Sequence, residues 1–167
     1  MQQRVRMHAR RAGVLLALGA GLCGGRAQAQ APAAVPGMEA VPVQGLAFGG
    51  LIPGVPEAVA VTDAARRAEI VLNGSGLFDV TLVLPDAMVS ATGARMPLRF
   101  TAGDGALLRN VSAALVPFDP LGTNRVSLDA AQGPARLLLG GTALPAREQT
   151  AGRYTTTIVV VVTTPGT

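Results

Sequence analysis

The sequence predicts an all-β protein: an antiparallel β-sandwich of about seven or eight short strands, preceded by a signal-peptide helix. Three observations predict it. Thr155 to Thr163 are nine consecutive β-branched positions, side chains that lose χ1 freedom in a helix but pack well on a pleated sheet. Upstream, short apolar runs recur with Gly, Pro, Asn or Asp between them, the pattern of a sandwich. Beyond the N-terminal segment, no stretch carries an apolar stripe at helical spacing long enough to persist.

The N-terminus has the order of a secretory leader. Met1 to Gly13 holds Arg4, Arg6, Arg10 and Arg11 and no acid, Val14 to Leu22 is apolar, and Ala27-Gln28-Ala29 is an A-x-A cleavage site. These are the three regions of a signal peptide, so residues 1–29 read as a leader cut after Ala29, with Ala31 as the second choice. The apolar stretch is short and glycine-rich, whereas a spanning helix needs ~20 apolar residues. No stable membrane span is expected after cleavage. The expected location is the periplasm or the cell surface. Arg10-Arg11 also admits a twin-arginine route. Cys23 admits a lipoprotein anchor, although Leu22 occupies the place where such signals want a small residue.

Removing the leader changes the chemistry of the chain. It takes five of the fourteen arginines and none of the ten acids, which leaves nine against ten and a formal charge of −1. The whole-chain pI of 10.9 therefore belongs to the leader, and a basic nucleic-acid footprint is absent. The only cysteine (Cys23) and the only histidine (His8) leave with it, and no lysine occurs anywhere. A thiolate nucleophile, a Ser-His-Asp triad and the usual zinc, copper or haem sites are excluded. So are a disulfide and a lysine Schiff base. A two-carboxylate hydrolase is the least excluded enzyme; the chain otherwise reads as non-enzymatic, with no cofactor and no metal. The 138 residues that remain of 167 suit one domain.

Residues 30–43 are Ala- and Pro-rich and read as a flexible arm ahead of a sandwich domain at 44–167. As a donor strand this arm would complete a neighbouring subunit by β-augmentation; Pro32, Pro36 and Pro42 argue instead for a plain lead-in, because proline removes ladder donors. Val41 to Phe48 is the first strand, entered through Pro42 as edge strands are. Gly49 to Gly54 is turn chemistry, and Ala58 to Thr62 a short strand. Asp63 to Glu69 reads as a turn running into a strand at Ala68 to Leu72. Asn73-Gly74 then signals a hairpin into Leu77 to Leu84, where Phe78, Val80, Leu82 and Leu84 alternate with Asp79, Thr81 and Val83. Met88 to Met96 is a loop or weak strand. Strands follow at Pro97 to Thr101, Asn110 to Val116 and Ala135 to Leu139, with a polar loop over Leu121 to Gly133 and a turn at Gly140 to Pro145. The closing strand runs from Arg153 to Thr163 without a break. Its inward face is Tyr154, Thr156, Ile158, Val160 and Val162.

Three blocks carry a resemblance: Leu46-Ala-Phe-Gly-Gly-Leu-Ile-Pro-Gly54, Asn73-Gly-Ser-Gly-Leu-Phe-Asp-Val-Thr-Leu-Val-Leu-Pro85, and Leu139-Gly-Gly-Thr142 with Gly152-Arg-Tyr154 and its strand. In this order they resemble the bacterial secreted family called domain of unknown function 4402, similar in pattern to spore coat protein U and to pilin-like sandwiches. The match covers residues 44–163. The resemblance implies an immunoglobulin- or pilin-like sandwich and a structural or adhesive envelope role. Two departures stand out: no disulfide is possible, and the chain ends Thr-Thr-Pro-Gly-Thr167 rather than on an aromatic residue.

A strand as long and apolar as the closing one must be paired on both edges or it aggregates. The candidate subunit contacts are therefore Val41, Val43, Tyr154, Ile158, Val160 and Val162, with the protein itself or other envelope proteins as partners through strand edges. For Tyr154 the leading reading is packing at a sheet end with its hydroxyl bonded to backbone, ahead of a subunit contact. A second function class is a monomeric periplasmic module for a small ligand or protein, which requires a concave apolar pocket with convergent polar groups. Asp79, Asp86, Asp104, Asp119 and Asp129 lack EF-hand spacing and read as solvated turn residues. Arg66-Arg67, flanked by Asp63 and Glu69, reads as a solvated surface pair.

Overall fold

The structure, a computed structural model, describes the backbone of residues 4–7 and the whole of residues 37–109 and 114–165. The strands in chain order are β1 (Arg4–Met7), β2 (Met38–Gln44), β3 (Glu57–Val59), β4 (Ala68–Gly74), β5 (Gly76–Val83), β6 (Ala87–Ser90) and β7 (Arg95–Arg99). Then come β8 (Gly105–Leu108), β9 (Val116–Pro117), β10 (Thr123–Leu128), β11 (Ala135–Leu139), β12 (Gly141–Ala143), β13 (Tyr154–Thr155) and β14 (Thr157–Thr163). They form three sheets, in the orders β1-β14-β5-β10, β2-β4-β11-β8-β9 and β13-β6-β7-β12-β3. Every pairing is antiparallel except β1 on β14. The chain is an all-β sandwich, as the sequence predicts.

One continuous core joins the sheets. β14 contributes Ile158, Val160 and Val162, β5 contributes Phe78, Val80 and Leu82, and β4 contributes Ala68, Ile70 and Leu72. All follow period two, since successive side chains on a strand point to opposite faces. With no Trp in the chain, the largest buried side chains are Tyr154, Phe48, Phe78 and Phe118 among leucines.

The fourteen segments exceed the expected seven or eight because strands change sheets. β11 pairs with β4 and β8, and after Gly140 the chain continues as β12 between β7 and β3. A Cβ at Gly140 would lie 2.2 Å from the Val59 carbonyl oxygen, and the Gly140 amide donates to the Asp104 carbonyl at 2.7 Å. The Gly140-Gly141 pair is thus a corner between sheets, where the sequence indicates a turn. The closing strand divides in the same way. Tyr154 and Thr155 pair with β6, Thr156 belongs to no ladder, and Val159 to Thr163 pair with β5. Thr156 is accordingly only half-buried, the one member of the expected inward face that misses the core.

Other expectations change. Asn73-Gly74 does not close a hairpin, because β4 and β5 lie in different sheets. Gly74 and Gly76 take φ values of +147° and +125° around Ser75, and a Cβ at Gly74 would meet the Gly37 carbonyl oxygen at 2.1 Å. The dipeptide serves a sharp crossover against the start of β2. The arm drawn at 30–43 ends earlier: Met38 to Gln44 pair with β4, with Met38 and Ala40 buried in the core. Those residues complete their own domain, which a donor strand for a neighbour would not do. The polar stretch 121–133 contains β10, whose Val126 and Leu128 face the core. Two apolar residues suffice there because β5 supplies the rest of the pairing. β8 likewise follows the Gly103-Asp104 turn unannounced. Residues 4–7, read as the start of a leader helix, form a strand on the free edge of β14. The leader core, Ala29, and the first part of the strand expected at 110–116 lie outside the described residues.

Gly140→Ala should lower unfolding stability in urea by about 1–3 kcal/mol, the usual cost of overpacking. Gly50→Ala, where no atom lies within 4 Å of the added methyl, should stay within about 0.5 kcal/mol of the parent.

Candidate functional site

Two features stand out as candidate sites: a cleft at one end of the sandwich and the outer edge of β14, along which β1 runs. The cleft, of about 310 Å³, lies between the Gly49–Pro53 loop and the Pro145–Gly152 loop, with Met96 and Tyr154 at its base. Two of the blocks that carry the family resemblance meet here. The Gly54 amide donates to the carbonyls of Pro145 and Ala146 at 3.2 and 3.0 Å, which clamps one loop on the other.

Tyr154 fixes this end of the molecule. Its ring is buried, and its hydroxyl donates to the Thr150 carbonyl at 2.6 Å and accepts from Gln149 Nε2 at 2.7 Å. The bond back to a carbonyl four residues upstream is the geometry of a tyrosine corner. Gln149 Nε2 also donates to the Arg95 carbonyl, and its Oε1 accepts the Ala146 amide, both at 3.1 Å. Sequence reasoning placed the tyrosine at the sheet end but did not single out Gln149, which no periodicity marks. The polar atoms of Gln149 and Tyr154 are bonded to one another and to backbone. The cleft is therefore a structural knot more than a ligand cradle.

Most of the acids have structural partners as well. Arg66 bonds both Glu57 and Asp63; Glu69, largely buried, takes Arg67 and Arg136. Asp79 holds Arg125, and Asp86 holds Arg95. Asp104 accepts the Thr101 amide, and Asp129 the Ala131 amide. No carboxylate lines the cleft, and among the described residues no three His, Cys, Asp or Glu side chains gather as a metal site. Arg66-Arg67 is not a solvated pair: Arg67 Nη1 donates to the Val61 carbonyl at 3.0 Å, its side chain is mostly buried, and both arginines pin the turn ahead of β4.

The expected subunit contacts divide. Tyr154, Ile158, Val160 and Val162 are buried in the core and cannot meet a neighbour by their side chains. Val41 and Val43 are exposed, on β2. What β14 does offer is its backbone. Its neighbours are β5 on one side and, among the described residues, only β1 on the other. The remaining sheet edges are guarded in the ways edge strands usually are, by brevity, proline, charge or a bulge. β2 carries Pro42 and a register shift between Pro42 and Gln44, β9 and β13 have two residues each, β3 has three, and β10 carries Arg125. β14 is seven residues of Thr, Ile and Val with no charge and no proline.

The outward face of its sheet grows less polar toward that edge. Between β10 and β5, Arg125 bonds Asp79 at 3.0 Å and Thr123 bonds Thr81 at 2.9 Å; the Asp79 carboxylate raises the guanidinium of Arg125 above its ordinary pKa. Between β5 and β14 the outward pair is Val83 opposite Val159, and Val161 faces Thr81.

Comparison with known proteins adds little to this geometry. No model of a protein family matches the chain, and no curated protein does. Among solved structures, a family 123 glycoside hydrolase from Clostridium perfringens, described for glycolipid glycan hydrolysis, shares 14% identity at a TM-score of 0.38. The match covers 71% of this chain and 23% of that one. The chain thus spans under a quarter of the hydrolase, and a likeness at that level bears on neither fold nor activity.

Tyr154→Phe should lower stability by about 1–3 kcal/mol, because Thr150 and Gln149 lose a buried partner; urea unfolding measures it. Acid should act through Asp63, whose carboxyl the hydrogen bond from Arg66 holds below its ordinary pKa, aided by the charge and by backbone amides. A depressed folded value stabilises the fold above the unfolded pKa of about 3.9 and loses that contribution as pH falls through the lower folded value. Melting temperature should therefore fall more steeply below pH ~4 in the parent than in Asp63→Asn.

Proposed function

We infer that this chain is an exported, non-enzymatic subunit of the bacterial cell envelope or surface, structural or adhesive, that works by pairing strand edges. The observation that carries the reading is the unguarded edge of β14. Seven consecutive backbone units without charge, proline or bulge form a template for another strand, and main-chain pairing gives affinity without a side-chain site. The leader pattern at residues 1–29 and the resemblance to domain of unknown function family 4402 support the same assignment. Its partners are copies of itself or other envelope proteins. No nucleic acid is involved, given a formal charge of −1 after Ala29, and no cofactor is needed.

The cleft favours a second reading, a monomeric periplasmic module for a small ligand or protein. About 310 Å³ is at the small end of ligand sites, and the Tyr154 hydroxyl and the Gln149 amide are already bonded within the protein. That reading ranks second for this reason.

Expressed with its leader in a bacterial host, the chain should be recovered from the periplasmic or surface fraction with Gln30 as its first residue, by intact mass. An uncleaved chain in the cytoplasm would overturn the export assignment.

A further inference from the structure

We propose that β14 pairs antiparallel with β14 of a second copy about a twofold axis at Val160, making one six-stranded sheet from the β14-β5-β10 halves of two subunits. The inference rests on the edge-pairing function above and names its partner. The argument starts from the sequence of the strand. Thr157-Ile-Val-Val-Val-Val-Thr163 reads nearly the same in both directions. Centred on Val160, an antiparallel pairing sets Thr157 opposite Thr163, Ile158 opposite Val162 and Val159 opposite Val161, with Val160 opposite its own copy. Directly opposed residues of an antiparallel ladder share a face. Hence Ile158, Val160 and Val162 stay on the inner face, packed in their own subunit's core, and along that face the two copies join through their backbones. Thr157, Val159, Val161 and Thr163 meet their like outside. No charge is apposed to a like charge anywhere along the seven residues.

A twofold interface uses the same patch on both subunits, which a self-complementary strand provides. The edge also takes up an added strand in this structure: β1 runs along it from Arg4 opposite Thr157 to Met7 opposite Val160. Those four residues belong to the segment read as a leader, so its removal frees the position. The outward valines Val83, Val159 and Val161 would then form an apolar band running across the twofold axis, flanked on each side by the Asp79–Arg125 pair.

Charge placed on the outer face tests both the partner and the register. Sedimentation of the exported form, residues 30–167, which contains all of the described core, should give twice the monomer mass. Val159→Lys with Val161→Lys apposes lysines across the axis and should give the single mass. Val159→Lys with Val161→Glu apposes lysine to glutamate twice and should restore the dimer, which no other antiparallel register and no in-register parallel pairing would do. A parent that stays monomeric at all concentrations, or an oligomer that survives the double lysine change, overturns the proposal. The export assignment is read independently by fractionation, so the two can fail separately. Should the charged variants not fold, amide exchange on the parent decides: protection of residues 157–163 must rise with protein concentration, and protection independent of concentration sinks the idea.

Discussion

The ladder between β5 and β14 holds the sandwich together, because both strands bury alternate side chains in the same core while their backbones pair. Val160 opposite Leu82 and Val162 opposite Val80 are fully or almost fully buried, so a slip of one residue would turn every one of them to solvent. The two chain segments stay together beyond this sheet. Past Pro85, β6 meets β13, and the pairing begun by β5 and β14 continues into the β6-β7-β12 sheet. One pair of segments thus ties two of the three sheets to each other.

Corners replace helices as the means of closing the core. Gly74-Ser75-Gly76, Gly140-Gly141 and the unpaired Thr156 are where the chain leaves one sheet for another, and at Gly74 and Gly140 a side chain would collide with backbone. The core is mostly aliphatic, with Tyr154 as its one polar-tipped member. That hydroxyl is placed so that a buried oxygen both donates and accepts, and it orders the Pro145–Gly152 loop as it does so. Acids and arginines follow the same economy. Glu69 lies under Arg67 and Arg136, and Arg66 joins Glu57 to Asp63, so the charges that sequence alone assigns to a solvated surface brace the turn into β4.

Much of the fold was legible in the residues, and for a local reason. The alternation of Phe78, Val80 and Leu82, and of Ile158, Val160 and Val162, depends only on period two and on the β-branched character of the chain. Both sets lie inward as expected. β10 was not legible: Arg125 and Ser127 face solvent, and only Val126 and Leu128 mark an inner face. The Asn73-Gly74 crossover read as a hairpin because turn chemistry reports a change of direction and not which sheet receives the next strand. For the candidate contacts the outcome divides by side chain and backbone. The inward valines of the closing strand are core, and what remains to pair along its outer edge is the backbone of the same residues, which has no sequence signature beyond the absence of a charge or a proline.

By itself the sequence determined the fold class, the inward face of the main strands, and the exclusion of lysine chemistry. These follow from side-chain type and spacing, which are local. The tertiary structure alone decided which strands share a sheet, that residues 38–44 belong to their own domain, that Gln149 and Tyr154 close the end of the sandwich, and that the outer edge of β14 meets only β1 among the described residues. Each of those depends on pairing between segments far apart in the chain, and a strand carries no mark of its neighbour until the core fixes the register.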